Sequence, residues 1–173
     1  QASLYDVIYD PSFAPYRDWG SALFSIASDT AKGMAFIHFN GLLHRDLKPG
    51  NILVDAQWVA KIADFGNVQT EQDMMYKTEG AEIAGTPPYM APEILNKRKY
   101  DPPVDVWAFG CVLSHMGSGQ IPYQQLALTN RNSMLEVIKS GEVSPLELLF
   151  EAANTPKAII DIAKDCCMPE PMN

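Results

Sequence analysis

Long hydrophobic runs are missing from this chain. No stretch approaches the roughly 18 apolar residues that a membrane-spanning helix requires, so no span is expected within it. Positive charge is short as well: 13 Lys and Arg stand against 21 Asp and Glu, for a formal charge of −8. A chain so acidic does not present a nucleic-acid surface, and its charge leans at most toward basic peptides. Cysteine is limited to Cys111, Cys166 and Cys167, an odd number with no Cys-x-x-Cys pair. Vicinal cysteines rarely bridge each other, and the apolar pattern around Cys166 and Cys167 fits a helix core. A reduced, intracellular and cytoplasmic setting is therefore expected. Gln1 begins neither a signal peptide nor a natural start, so the chain is expected to open in mid-protein. Repeats, low-complexity tracts and linkers are also lacking, and 173 residues suit one domain or a large piece of one.

What the chain does contain is an ordinary globular composition, 47% apolar and 20% charged. Residues 4–9 form a short amphipathic stretch that stops before Pro11. Over residues 19–39 the apolar positions Leu23, Ile26, Ala27, Ala31, Met34, Ala35 and Ile37 recur at helical spacing, Gly33 is a tolerated small residue, and Asn40-Gly41 supplies C-terminal chemistry. His38 falls on the packed side of that helix and reads as a core residue. Residues 52–55 and 59–63 read as a small hairpin. Residues 67–84 are polar with weak periodicity and read as a long loop bearing the hydroxyls Thr70, Tyr76 and Thr78. Residues 105–113 are apolar on nearly every side, the pattern of a helix buried mid-domain. Asp105 at its start suits either an N-cap or a bond to another loop. Further helices are expected around Met134 to Ile138, ending near Gly141, and over residues 145–150 and 158–167.

The stretch that organises the rest is His44-Arg45-Asp46-Leu47-Lys48-Pro49-Gly50-Asn51. It sets a carboxylate, an ammonium and a carboxamide on one short turn between two apolar runs. Asp46 can accept a hydrogen bond from an alcohol, Lys48 can neutralise a phosphate, and the Asn51 amide oxygen can ligate a hard cation such as Mg2+. Asp64-Phe65-Gly66 follows the hairpin, joining an acidic metal ligand, a packing aromatic and a glycine hinge. Gly85-Thr86-Pro87-Pro88-Tyr89-Met90-Ala91-Pro92-Glu93 closes the long loop on a path that its prolines fix.

These motifs, in this order and with Asp105-Val106-Trp107 and Gly110 behind them, resemble a eukaryotic protein kinase along essentially the whole chain. The resemblance implies a mainly α fold: residues 1–173 as the C-terminal lobe of the catalytic domain, with a short β-hairpin carrying the catalytic and metal-binding loops. It implies ATP and Mg2+ as cofactors, a protein substrate, and an upstream activating kinase. Asp46 would be the catalytic base, Lys48 would contact the transferring phosphoryl group, Asn51 and Asp64 would hold Mg2+, and Leu53 would lie under the adenine. His44, Phe65 and Gly66 complete the motifs, and Asp105 would brace the catalytic-loop backbone. Arg45 would pair with a phosphate on Thr70 or Thr78, and the Thr86 hydroxyl would contact Asp46 and Lys48. Lys48 after Asp46-Leu47, with Gly85-Thr86 ahead of Tyr89, resembles serine/threonine kinases, and Ser3-Leu4-Tyr5-Asp6 resembles their tyrosine-kinase-like group.

The sequence departs from the family at both ends. It has no Gly-rich phosphate loop and no strand lysine with its helix glutamate, and the Arg-Pro pair whose arginine meets the Glu93 position does not occur before Asn173. These 173 residues alone are therefore expected to be inactive, and Glu93 to be a partly buried carboxylate without its family partner arginine. The alternative reading is a pseudokinase or interaction module that keeps the fold as a binding surface. Intact Asp46, Lys48, Asn51 and Asp64 favour the enzyme.

Overall fold

A computed structural model describes residues 1–70, 85–96, 102–126 and 130–168. The chain opens with a two-residue strand, β1 (Ala2–Ser3), and a one-and-a-half-turn helix, α1 (Leu4–Tyr9). Its start is a reciprocal capping box. The Ser3 hydroxyl accepts from the Asp6 amide at 3.1 Å, and the Asp6 carboxylate accepts from the Ser3 amide at 2.8 Å. Leu4, Val7 and Ile8 face the core.

Helix α2 (Ala22–Phe39) buries Leu23, Ile26, Ala27, Thr30, Met34 and Ile37, the expected helical stripe. It begins three residues later than its periodicity predicts. Asp18 organises a turn there, accepting from the Gly20 amide and the Ser21 hydroxyl at 2.8 Å each. Ala31 and Ala35, expected on the packed stripe, are exposed. Gly33 is tolerated, as expected: a Cβ there would lie 2.9 Å from Cδ1 of Ile62, the end of a flexible side chain in the sheet below.

That sheet is the predicted hairpin plus one strand. β3 (Ile52–Val54) and β4 (Ala60–Ile62) pair antiparallel with Ile52 opposite Ile62 and Val54 opposite Ala60, and β1 lies on the far side of β3. Asp55 shapes the connecting turn by accepting from the Gln57 and Val59 amides at 2.9 and 3.0 Å. A second antiparallel pair joins β2 (Leu42–Leu43) to β5 (Gln69–Thr70). The expected loop over residues 67–84 is corrected to that extent: Gln69 and Thr70 form a strand against the segment leading into residues 44–51. Residues 71–84, with Tyr76 and Thr78, lie outside the described residues.

The remainder of the described chain is helical. α3 (Pro92–Leu95) leads to α4 (Pro103–Ser118), which buries Val104, Trp107, Ala108, Cys111, Val112, Leu113 and Met116. It runs longer at both ends than the apolar stretch over residues 105–113; Pro103 and Val106 are exposed near its start, while Gly110 to Met116 are all buried. α5 (Arg131–Ser140) starts on the Asn130 side chain, which accepts from the Ser133 amide at 2.9 Å, and stops as expected at the left-handed Gly141 (φ 66°). α6 (Glu147–Phe150) and α7 (Lys157–Cys166) pack against α4. At Gly110 a Cβ would lie 2.5 Å from Cys167 Sγ and 2.8 Å from Cys166 Cβ, so α4 and α7 touch through that residue. Cys111 and Cys167 are buried free thiols, and burial pushes the Cys111 thiol well up. Among the described residues no helix is long and apolar enough to cross a membrane.

Candidate active site

The stretch 44–51 is held from below by one carboxylate. Asp105, 1% exposed in the first turn of α4, accepts from the His44 amide (Oδ2, 2.8 Å) and from the Arg45 amide (Oδ1, 2.8 Å). The His38 Nε2–H donates to the same Oδ2 at 3.0 Å. Of the two roles open to Asp105, bonding the loop is the one it takes; it makes no side-chain cap on its own helix. His38, read as a core residue, is instead a half-buried donor to this brace. With both amides fixed, Arg45 sits at φ 67°, a left-handed conformation that non-glycine residues adopt at a cost of about 1–3 kcal/mol where the surroundings demand it.

His44 joins this loop to the one at residues 64–66. Its Nε2–H donates to the Ala63 carbonyl at 3.0 Å while Nδ1 accepts from the Asp46 amide at 3.4 Å, which assigns the proton to Nε2. The fully buried ring also meets Phe65 edge-on, at a centroid distance of 5.7 Å. Phe65 is otherwise 53% exposed, so it is not the packed aromatic that the sequence suggested.

Asp46 lies at the centre of a compact polar cluster. Oδ1 accepts from the Thr86 hydroxyl at 2.7 Å, and Oδ2 accepts from Lys48 Nζ at 2.7 Å and from Asn51 Nδ2 at 3.3 Å. Lys48 Nζ also donates to Thr86 Oγ1 at 2.9 Å. The carboxylate is 8% exposed, so its charge-assisted bonds are shielded from competing water. Thr86 reaches the cluster through two local devices. Tyr89 N–H bonds its carbonyl at 3.0 Å in the tight turn Pro87–Tyr89. Gly85 ahead of it has φ +115° and lies where a Cβ would be 3.0 Å from the Arg45 carbonyl, so only glycine suits the position.

The hairpin register brings Asn51 and Asp64 to one end of the sheet. Ile52 opposes Ile62, and Ala63 N–H donates to the Asn51 carbonyl at 2.8 Å, with Asp64 the next residue. Asn51 Nδ2 donates to the Asp46 carbonyl at 2.8 Å and toward the Asp46 carboxylate, which fixes the amide and leaves Oδ1 as its donor atom for a cation. Asp64, exposed and left-handed at φ 61°, spends Oδ1 on the Gly66 amide at 3.3 Å. One amide oxygen and one carboxylate are hard donors that fit Mg2+, which takes few protein ligands and shares the rest with phosphate and water. Among the described residues no three His, Cys, Asp or Glu side chains gather in a metal-binding group.

The remaining predicted residues are dispersed. Leu53 is half-buried in β3, opposite Ser3 and Lys61. Thr70 is exposed in β5 opposite Leu42, and Thr78 lies outside the described residues. Glu93, in the first turn of α3, is half-buried, as expected, and is engaged in an interaction within the chain. Sequence reasoning missed the bond of His38 to Asp105, and it read Gly85 only as part of the Gly85-Thr86 resemblance and not as a close approach to Arg45. The usable signal for Gly85 was its place directly before Thr86, and His38 gave none beyond its spacing.

A family model for the protein kinase domain matches residues 19–173. The chain is 46% identical over 102 residues to the dual specificity protein kinase shkB of Dictyostelium discoideum, covering 58% of this chain and 15% of that protein. It is 38% identical over 119 residues to a serine/threonine-protein kinase of Arabidopsis thaliana (69% and 20%), and 36% identical over 135 residues to the epsilon-type protein kinase C of Rattus norvegicus (78% and 18%). The chain thus spans a fifth or less of the length of these curated relatives.

Proposed function

The chain belongs to the protein kinase family, and on that premise we propose that residues 1–173 are the C-terminal lobe of a serine/threonine kinase catalytic domain. The observation that carries the reading is the Asp46 carboxylate, which bonds a hydroxyl on one oxygen and an ammonium on the other. That geometry suits transfer of a phosphoryl group to an alcohol. The substrate hydroxyl donates to Asp46, which aligns it and takes its proton late in the reaction, while Lys48 neutralises the incoming phosphoryl oxygens. Thr86 holds Asp46 and Lys48 in register and lies where the acceptor peptide arrives.

ATP supplies the phosphoryl group when bound, and Mg2+ offsets its charge. Asn51 Oδ1 and the Asp64 carboxylate are the atoms that would hold the cation, and Leu53 would lie against the base. Arg45 receives a phosphate placed by an upstream kinase on Thr70 or Thr78, through charge-assisted bonds. The acceptor is a Ser or Thr hydroxyl of a protein substrate, in a cytoplasmic setting. Lys48 and Thr86 support that acceptor, as do the serine/threonine kinases among the relatives.

The test uses the full-length protein with Mg-ATP and peptides carrying a single Ser, Thr or Tyr acceptor. Phosphate transfer to Ser and Thr, lowered at least about 100-fold by Asp46→Asn, is expected. An Asp46→Asn protein as active as wild type would sink the assignment of the base, and transfer to Tyr alone would sink the acceptor class.

A further inference from the structure

His115 has no part in the chemistry above, yet it is fully buried in α4 with both ring nitrogens engaged. The Tyr89 hydroxyl lies 2.7 Å from Nδ1 and the Tyr9 hydroxyl 2.9 Å from Nε2. Tyr89 stacks on the ring at 6.2 Å and 27°, while Tyr9 and Tyr5 meet it edge-on at 5.6 and 6.4 Å. Burial pulls the His115 pKa down to about 4, so the imidazole is neutral near pH 7. A neutral imidazole has one N–H and one lone pair, so one tyrosine donates to it and the other accepts. The three groups form a single polarised chain in which each bond strengthens the next.

Both ends of that chain lead somewhere. Tyr9 is the last residue of α1. Tyr89 closes the turn that bonds the Thr86 carbonyl at 3.0 Å, and the Thr86 hydroxyl lies 2.7 Å from Asp46 and 2.9 Å from Lys48. We propose that His115 is a positioning residue that couples α1, through Tyr9, to the turn carrying Thr86, through Tyr89, and so sets how Thr86 meets Asp46 and Lys48. Its consequence for rate rests on the kinase reading; the coupling itself does not.

The test is a double-mutant cycle in the full-length protein, with Tyr9→Phe as the probe because it removes one hydroxyl and keeps the ring. Amide hydrogen exchange at Tyr89 and Met90 reports on the turn, and kcat with KM for ATP reports on its use. Tyr9→Phe is expected to speed exchange at both amides about fivefold and to lower kcat by a similar factor with KM for ATP unchanged, the size of one lost hydrogen bond. In a His115→Phe or Tyr89→Phe background the same substitution should add nothing. Unchanged exchange at Tyr89 and Met90, or full additivity in either background, overturns the coupling. A wild-type protein without kinase activity overturns the proposed function instead, and the exchange cycle still decides the coupling.

Discussion

Three donors converge on Asp105, and two of them are backbone amides. Removing the carboxylate strands those amides in the interior, so Asp105→Ala is expected to cost about 3–5 kcal/mol in urea unfolding. Asp105→Asn, which keeps one acceptor oxygen, should fall between the variant and wild type. A loss within about 1 kcal/mol for alanine would mean that the loop holds itself. The pattern of the chain alone left two roles open for this residue, a helix cap or a bond to a loop; the family resemblance pointed to the loop, and the His44 and Arg45 amides are where it bonds. A carboxylate in a first helical turn satisfies a cap or a distant loop equally well, and the choice is made by the approach of residue 44 to residue 105. His38 was misread for the same reason, since helical spacing reports a face and not the neighbour on it. Asp46, Lys48 and Asn51 were legible because one short turn holds all three, whereas Phe65 was read as packed from a tripeptide that says nothing about what lies above it.

At the scale of elements, α4 and α7 approach as closely as Gly110 allows. A Cβ there would meet Cys167 Sγ at 2.5 Å and the Ala163 carbonyl at 3.2 Å, so the helices must separate to admit it. Gly110→Ala is expected to destabilise the protein by about 1–3 kcal/mol, read as a lowered midpoint in thermal or denaturant unfolding. A variant as stable as wild type would show that the contact yields freely. Helices α2, α5 and α7 were readable from apolar spacing because one face of each is solvated. The strands were harder. The β3–β4 hairpin has enough apolar length to register, but β1, β2 and β5 are two residues each and carry no period. They form because other segments deliver them to a partner, which is long-range information. α4 overran its predicted bounds because a helix buried along most of its length has no continuous polar face to mark where it stops.

For the molecule as a whole, His115 makes stability depend on acid. Its folded pKa of about 4 lies below the ordinary 6.5, so below pH 6.5 the unfolded chain binds a proton that the folded chain refuses. Stability contributed by the neutral ring is thus complete above pH 6.5 and is lost as the pH falls toward 4, by about 3 kcal/mol in total. The two hydroxyls bonded to the ring, on Tyr9 and Tyr89, are moved further up by burial, so they add no opposing slope in that window. Denaturant unfolding between pH 4 and 7 should show the rise with pH, and His115→Gln should flatten it. Equal slopes in the two proteins would remove His115 as the cause.

The pairing of β2 with β5 has a consequence for how the chain tolerates change. Leu42 opposite Thr70 and Leu43 opposite Gln69 clasp the backbone on either side of residues 44–68, the stretch that holds Asp46, Lys48, Asn51 and Asp64. A loop whose ends are pinned loses little by growing longer, about 0.6 kcal/mol for each doubling of its length. The exposed tip of that loop is the β3–β4 turn, where Ala56 and Gln57 face solvent. Insertions are therefore absorbed at Ala56 and Gln57, whereas a single residue added next to either clasp strand shifts its pairing by one and turns its side chains to the opposite face. The tip can vary in length while the mouth keeps its register.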